Sequence, residues 1–246
     1  MVLSESKIMN YKSMIKKIEK RKDYVISYCQ ILQEFDDNDY YWSETIELAK
    51  KKYFFETSMV INWIGAKFGP KKILEIGTRT AGSLVALLYN HKLQEGLEIY
   101  CFDLWKEYSS SFFPTIAMKY LPTFIKEKFS IKKVKKNLNK LNIPYENIKF
   151  ISGDSKITIP YFFKKFPDKK FDYILVDGGH DKLTASIDLE NICGHFSDRG
   201  VLVFDDIGPE SYKLIDVGDA FKSKHINEFN FYEKFHRKGV AWAFKK

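Results

Sequence analysis

The stretch Lys72-Ile73-Leu74-Glu75-Ile76-Gly77-Thr78-Arg79-Thr80-Ala81-Gly82-Ser83 decides the fold. Its first part is a short, mostly apolar run typical of a buried strand, and Gly77 permits a tight turn directly after it. A helix is then predicted from about residue 81 to residue 91. A strand that leads straight into a helix is the repeating unit of an α/β domain with a parallel sheet.

The same alternation continues along the chain. Four further strands and three helices are predicted, the strands at 99–102, 148–151, 173–176 and 201–204 and the helices at 130–141, 157–166 and 182–195. This pattern favours a parallel sheet with helices on both faces. Residues 229–236 and 240–244 depart from it, because they read as two strands of a hairpin. One strand near the sheet edge must therefore run antiparallel to its neighbour.

Residues 1–70 show helical spacing of apolar residues, and Gly69-Pro70 ends the last of these helices. We expect 1–70 to form an N-terminal helical cap and 71–246 to form the main domain. An aromatic-rich insertion at about 105–129 could be a mobile lid over substrate or a helical excursion packed on the core. The N-terminal helices could equally form a homodimer surface.

The composition is that of a soluble globular protein, with 45% hydrophobic and 29% charged residues in 246. The three cysteines form no CxxC pair, so neither a disulfide framework nor a thiolate zinc site is predicted. No apolar run resembles a signal peptide, and none reaches the roughly 18 residues of a membrane span. A cytoplasmic location is expected.

The formal net charge is +8, from 40 Lys and Arg against 32 Asp and Glu. A positive surface suits anionic partners such as nucleic acid or phosphorylated sugars. The lysines fall on several separate segments, however, and no run is interleaved with aromatics in a recognisable RNA-binding motif. We therefore expect a small anionic acceptor, or solvated helix faces, rather than nucleic acid.

Acidic residues follow four of the five predicted parallel strands. They are Asp103, Asp154, Asp177 and the pair Asp205-Asp206. Ligands of open α/β sheets bind beyond the carboxyl ends of the strands, so these acids are expected at one rim. Each alone could be a helix N-cap or turn former. Gathered together they need a cation or hydrogen-bond donors among them, because like charges repel.

The loop after the first strand lacks the GxGxxG pattern, which makes an NAD-dependent oxidoreductase the least expected function. Glu75, two residues before Gly77, points instead to a ligand that carries positive charge. Asp103 is placed to accept hydrogen bonds from ribose hydroxyls. That placement is shared by nucleotide and adenosyl cofactors.

The run Ile73–Leu84 resembles the first motif of class I S-adenosylmethionine-dependent methyltransferases, and the terminal hairpin fits their Rossmann-like, seven-stranded sheet. Ala81 stands where many relatives have glycine, so the loop is expected to sit slightly differently over the methionine moiety. The resemblance implies a cofactor site made of Glu75, Gly77, Thr78, Arg79, Ser83, Asp103, Gly153, Asp154, Ser155 and Asp177.

Residues 171–180 (FDYILVDGGH) and 199–206 (RGVLVFDD) carry a narrower resemblance. They are similar to the metal-dependent sugar O-methyltransferases typified by macrocin O-methyltransferase, with relatives among cephalosporin hydroxylase-like proteins. The resemblance implies that Asp177, Asp205 and Asp206 bind Mg²⁺ and that Asp177 doubles as general base. Catechol-type O-methyltransferases are a nearby alternative, although they usually carry Asp-Asn after strand five and a lysine after the strand-four acid.

The chemistry of these residue types supports the same site. Neighbouring strands lie about 4.8 Å apart, so acids at their ends can converge on one ion. Three carboxylates form a hard, all-oxygen site that suits Mg²⁺ or Ca²⁺ rather than zinc. His180 is an alternative base, or else a cap of the helix that begins near Asp181.

The leading hypothesis is an S-adenosylmethionine-dependent, Mg²⁺-dependent O-methyltransferase for a small hydroxylated molecule, a sugar or glycosylated metabolite. A metal-independent RNA methyltransferase is the first alternative, but no Asn-Pro-Pro-Tyr-like motif follows strand four. A non-catalytic nucleotide-binding protein is the second. The retention of Glu75, Gly77, Asp103 and the three aspartates argues against it.

Overall fold

The computed structural model describes residues 56–89, 96–105, 130–139, 144–209, 211–234 and 238–246. Most of the predicted cap and nearly all of the predicted 105–129 insertion lie outside the described residues. Within the described ranges, no helix combines the length and apolar character that crossing a membrane requires.

Strands and helices alternate along the described chain. The helices are α1 (Glu56–Phe68), α2 (Gly82–Tyr89), α3 (Ile131–Asn139), α4 (Ser155–Lys165), α5 (Lys182–Ile192) and α6 (Ile215–His225). The strands are β1 (Lys72–Ile76), β2 (Glu98–Asp103), β3 (Ile148–Ser152), β4 (Phe171–Val176), β5 (Phe196–Asp205), β6 (Phe229–Lys234) and β7 (Val240–Lys245).

These strands form one seven-stranded sheet in the order β3-β2-β1-β4-β5-β7-β6. Strands β1 to β5 pair in parallel, whereas β7 lies antiparallel to both β5 and β6. The predicted Rossmann-like sheet with one antiparallel strand is confirmed. Strand order reverses between β1 and β4, so the carboxyl ends of these two strands are where a ligand is expected.

The helices cover the sheet in two layers, each with its own apolar core. Helices α1, α2 and α3 pack on one face, with Trp63, Leu84 and Val134 among the buried side chains. Helices α4, α5 and α6 pack on the other face through residues such as Phe162 and Leu189. Because side chains of a strand alternate between faces, each parallel strand contributes to both cores.

Three local features differ from the sequence prediction. Helix α6 was not predicted; its N-terminus has no side-chain cap, and Gly218 lowers its intrinsic helix propensity. Strand β5 begins at Phe196 rather than near 201, because Phe196 pairs with Phe171 ahead of a register irregularity. Helix α5 accordingly ends at Ile192 instead of running on to 195.

Candidate active site

A cavity of about 500 Å³ opens at the carboxyl ends of the central strands. Loops that follow β1 to β5 line it, together with Thr57 of α1 and Lys238 of the β6–β7 turn. Every residue predicted to contact the cofactor lines this cavity except Glu75. The strand-end acids thus gather at one rim, as the alternation of strands and helices predicts.

The loop after β1 fits closely against the end of β4. Gly77 has φ +91°, and a Cβ atom there would lie 1.8 Å from the carbonyl oxygen of Asp177. Arg79 and Ala81 have φ values of 50° and 67°, in the left-handed region. Ala81 therefore keeps the backbone conformation that favours glycine, at a position where the side chain is fully buried.

Glu75 is buried beneath this loop and does not line the cavity itself, but it contacts a residue that does. The Ser83 hydroxyl donates a hydrogen bond to Glu75, and the Cys101 thiol approaches its other oxygen at 3.9 Å. Burial raises the pKa of Glu75, while the Ser83 hydrogen bond lowers it in part. The carboxyl group thereby holds Ser83, which does line the cavity.

Asp103 ties the first loop to the end of β2. Its Oδ2 accepts a hydrogen bond from the Arg79 backbone N–H at 2.5 Å, and Trp105 Nε1 donates to the Arg79 carbonyl at 3.1 Å. Burial raises the pKa of Asp103, and the Arg79 N–H lowers it in part. Asp103 is therefore both a structural anchor and part of the cavity wall.

Asp154 has a defined structural task at the end of β3. Its Oδ1 accepts the Lys156 backbone N–H at 2.9 Å and caps helix α4, while Oδ2 lies 3.2 Å from Lys156 Nζ. Gly153, Asp154 and Ser155 all line the cavity. The helix-cap interpretation of Asp154 is thus confirmed, and it is compatible with contact to a ligand.

The acids after β4 and β5 form a cluster with His180. One ligand atom from each of Asp177, His180 and Asp206 lies within 4.8 Å of the other two. His180 Nδ1 is 2.9 Å from Asp206 Oδ2. Asp206 is buried with φ 64°, and neither of its oxygens makes a well-formed hydrogen bond to a described residue. Asp205 is held differently: its Oδ1 accepts a hydrogen bond from the Thr57 hydroxyl at 2.5 Å.

The mutual repulsion of these carboxylates changes how they hold protons. Burial and the neighbouring Asp205 and Asp206 raise the pKa of Asp177 well above its usual range. Burial, with Asp206 adding to it, raises the pKa of Asp205 to about 6. Buried carboxyl groups of this kind are strong proton acceptors once ionised.

Three residues at this site were missed by sequence reasoning. Lys238 Nζ lies 3.7 Å from Asp206 Oδ1, and although burial opposes it, the surrounding aspartates raise the pKa of Lys238. Tyr212 stacks on His180 with ring centroids 4.0 Å apart and planes at 1°. Thr57 reaches the site from α1, 148 residues away from Asp205 in the chain. The sequence around Lys238 indicates only a turn, and Tyr212 is only an aromatic residue in a loop, so neither sequence context pointed to the active site.

The sequence model of a family described as a methyltransferase domain matches residues 74–207, more than half of the chain and all of β2 to β5. The chain belongs to this methyltransferase family. The match confirms the prediction of an S-adenosylmethionine-dependent methyltransferase. It also confirms the broader of the two resemblances, the one to class I methyltransferases. Among curated protein sequences, none matches this methyltransferase significantly.

Solved structures of low sequence identity share the fold of the methyltransferase. The SAH-bound Podospora anserina methyltransferase PaMTH1 superposes with a TM-score of 0.54 at 18% identity, over 93% of this chain and 96% of that one. The O-methyltransferase from Bacillus cereus in complex with SAH gives 0.55 at 13% identity, over 90% and 100%. The O-methyltransferase NovP gives 0.54 at 17% identity, over 77% and 78%.

Proposed function

We propose that this methyltransferase transfers the methyl group of S-adenosylmethionine to a hydroxyl group of a small molecule, a sugar or glycosylated metabolite. The observation that carries the proposal is the single cavity that joins the predicted cofactor residues to Asp177 and His180. The Bacillus cereus enzyme and NovP are O-methyltransferases, which supports oxygen as the accepting atom.

In this proposal the cofactor lies across the ends of β1, β2 and β3. Asp103 accepts hydrogen bonds from the ribose hydroxyls, and Asp154 and Ser155 flank the adenine. The loop of Gly77, Thr78, Arg79 and Ser83, backed by Glu75, faces the methionine part. Closely fitted walls hold the sulfonium methyl in one orientation, and positioning of this kind supplies much of the rate acceleration.

A base must take the hydroxyl proton as the substrate oxygen attacks the methyl carbon and the sulfur–methyl bond breaks, which leaves S-adenosylhomocysteine. Asp177 qualifies because burial makes its carboxylate a good proton acceptor. His180 qualifies through Nε2, since its Nδ1 already faces Asp206. Both candidates stay in the proposal.

The acid cluster fits a divalent metal, Mg²⁺, as part of the proposal. The predicted ligands are Asp177, Asp205 and Asp206, which offer hard oxygen donors. Of these three, Asp177 and Asp206 belong to the observed cluster, whereas Asp205 Oδ1 accepts a hydrogen bond from Thr57. The fit rests on Asp206, whose buried oxygens lack well-formed hydrogen bonds from the described residues. A metal bound there would lower the pKa of a substrate hydroxyl and orient it. His180 lies close enough to compete with Asp205 as the third ligand.

The surroundings of the cluster support a sugar-like acceptor and the narrower resemblance to the macrocin O-methyltransferase group. Tyr212 lines the cavity and is 55% exposed, so its ring offers a flat surface for the apolar face of a sugar. Lys156 and Lys238 also line the cavity and suit an anionic substituent. A nucleotide-linked sugar combines both features.

The test is calorimetric titration with S-adenosylhomocysteine, with and without Mg²⁺, followed by a methylation screen of nucleotide-linked sugars. We expect cofactor binding, methyl transfer that stops in excess EDTA, and loss of transfer in Asp206→Asn. Asp172→Asn is the matched control and should keep activity, because Asp172 lies at the amino-terminal end of β4, away from the strand ends that form the cavity. Full transfer in EDTA would reject the metal and favour a metal-independent enzyme.

Other expectations belong to the same proposal. We propose that the enzyme works in the cytoplasm and that residues 1–70 form a cap, a homodimer surface or both. Residues 105–129 are proposed to close over substrate or to pack on the core. Light scattering of the full chain measures the oligomeric state, and limited proteolysis with and without cofactor tests closure of the insertion.

A further inference from the structure

A second cluster of side chains of types that bind metals lies outside the cavity, and none of its members lines it. One ligand atom from each of Cys193, His225 and Glu228 lies within 4.8 Å of the other two. Cys193 Sγ is 3.5 Å from His225 Nδ1 and 3.4 Å from Nε2, and His225 Nδ1 is 2.8 Å from Glu228 Oε1. His225 is buried, Cys193 is half-buried and Glu228 is exposed, so the cluster is open to solvent on one side.

The cluster joins two helix-to-strand turns at the amino-terminal ends of β5 and β6, whereas the cavity lies at the carboxyl ends of the central strands. Cys193 follows α5 shortly before β5 begins, whereas His225 ends α6 and Glu228 directly precedes β6. The first residues of the two strands, Phe196 and Phe229, pack together with ring centroids 5.1 Å apart. Both helices end here, and the C-terminal end of a helix carries partial negative charge that favours a cation.

We propose that Cys193, His225 and Glu228 bind a zinc ion, independently of the active site. A thiolate, an imidazole and a carboxylate are all zinc ligands, and a solvent water can complete four-fold coordination. Ligand atoms around a tetrahedral zinc lie roughly 3.3–3.8 Å apart, given its usual bond lengths. Cys193 Sγ is about equally far from the two ring nitrogens, so a change of side-chain rotamer at the half-buried Cys193 must bring the sulfur beside one of them. The exposed Glu228 must also move outward by a fraction of an ångström.

The charges around Cys193 favour a divalent cation. Burial raises the pKa of Cys193, and the nearby carboxylates of Glu228 and Glu190 raise it further. Lys224 offsets part of this negative charge, because its Nζ forms an ion pair with Glu190 at 2.6 Å. Zinc binding displaces the thiol proton, so that Cys–SH and Zn²⁺ give Cys–S–Zn⁺ and one H⁺. Affinity therefore rises with pH.

Sequence spacing did not predict this site, because Cys193 follows α5 whereas His225 ends α6, and the two helices lie apart in the sequence. Cys193 and His225 are 32 residues apart, and a pattern built on CxxC pairs does not detect such a set. Bound zinc would tie the α5–β5 turn to the α6–β6 turn. Because it binds the folded chain, it would raise the unfolding temperature as its concentration increases.

The test uses Co²⁺ as a spectroscopic probe of zinc sites in the full chain. We expect one equivalent of Co²⁺ to produce a thiolate-to-cobalt charge-transfer absorption, Zn²⁺ to abolish it by displacement, and Zn²⁺ to raise the unfolding temperature. Cys193→Ser should lose the absorption, and Glu228→Gln should weaken Zn²⁺ binding by roughly 10–100-fold. The active-site cluster contains no sulfur, so this absorption does not report on it.

Two variants serve as controls. His195→Gln changes a neighbouring histidine that stacks on Phe163 and faces the Lys169 carbonyl, and it should keep the absorption. Cys29→Ser should also keep it. The proposal is overturned if the wild-type chain shows no thiolate absorption with Co²⁺, or if Cys193→Ser retains it. Glu228 is exposed, so its variant folds even if changes at His225 do not.

Discussion

At the scale of single residues, the acids that follow the strands perform different tasks. Asp154 caps a helix, Asp103 anchors the first loop, and Asp205 accepts a hydrogen bond from Thr57. Asp206 is buried without well-formed hydrogen bonds from the described residues, and Lys238 at 3.7 Å offsets part of the free-energy cost of burying its charge. The surroundings of each carboxylate, rather than its place in the sequence pattern, separate structural from functional acids.

We predict that Asp103→Asn weakens binding of S-adenosylhomocysteine by about tenfold to a hundredfold. The change removes charge-assisted hydrogen bonds, each worth roughly 1.5–3 kcal/mol. Calorimetric titration measures the affinity. Asp172→Asn is the control, because Asp172 accepts hydrogen bonds from the Lys71 and Lys72 backbone N–H groups at the amino-terminal end of β4, away from the cavity. An unchanged affinity in Asp103→Asn would remove Asp103 from the cofactor site.

Asp188 gives a prediction for pH dependence. It is fully buried in α5, and a Cβ atom on Gly178 would lie 3.1 Å from its Oδ2, so it lies beneath the loop after β4. Burial raises the pKa of Asp188 to about 6, and Ser155 offsets this only in part. The folded chain therefore keeps the proton that the unfolded chain releases near pH 4, and wild-type stability falls as pH rises through this window.

Asp188→Asn removes that loss. The difference in free energy of unfolding, variant minus wild type, should therefore grow by up to about 3 kcal/mol between pH 4 and pH 6.5 and stay constant above that. Urea denaturation at a series of pH values measures this. Asp181→Asn in the same region is the control of opposite sign, because the Thr184 backbone N–H lowers the pKa of Asp181. A difference that does not vary with pH would show that Asp188 is ionised in the folded chain.

At the scale of elements, the turn from β1 into α2 requires glycine at one position. A Cβ atom on Gly77 would collide with the Asp177 backbone, which cannot yield without moving the end of β4. We predict that Gly77→Ala lowers the free energy of unfolding by about 3 kcal/mol or more and weakens cofactor binding as well. Chemical denaturation and calorimetric titration measure the two effects.

Gly218→Ala in α6 is the matched control. A Cβ atom there would meet Phe204 at 3.6 Å, an ordinary contact, and alanine favours the helix by roughly 0.5–1 kcal/mol. This variant should be more stable than wild type, with unchanged cofactor affinity. Equal effects of the two substitutions would contradict the close fit of Gly77 against β4.

At the scale of the whole molecule, the positive charge is spread rather than concentrated. Lysines of α3 lie on one side of the sheet, and those of α4 and α6 lie on the other. Some are paired, as Lys222 is with Glu233. A nucleic acid needs its cations along one continuous groove. These described helices offer no such alignment.

We therefore predict weak RNA binding that disappears by physiological salt. Fluorescence anisotropy with a single-stranded RNA over a salt series measures it, and Lys135→Glu on α3 should leave the proposed methyl transfer unchanged. Tight binding with a salt slope that corresponds to six or more phosphate contacts, on the order of that seen for specific nucleic-acid-binding proteins, would contradict the small-molecule acceptor.

Short-range pattern was enough to predict the seven strands, most of the helices between them and the rim of acids, because periodicity and turn residues act within about ten neighbours. Such patterns do not predict which side chains from distant segments of the chain come into contact. Thr57 meeting Asp205, Lys238 approaching Asp206, and Cys193 meeting His225 all arise only when strands and helices pack. Helix α6 belongs with these, since it is weak in local propensity and is stabilised by burying Val217 and Phe221 against the sheet.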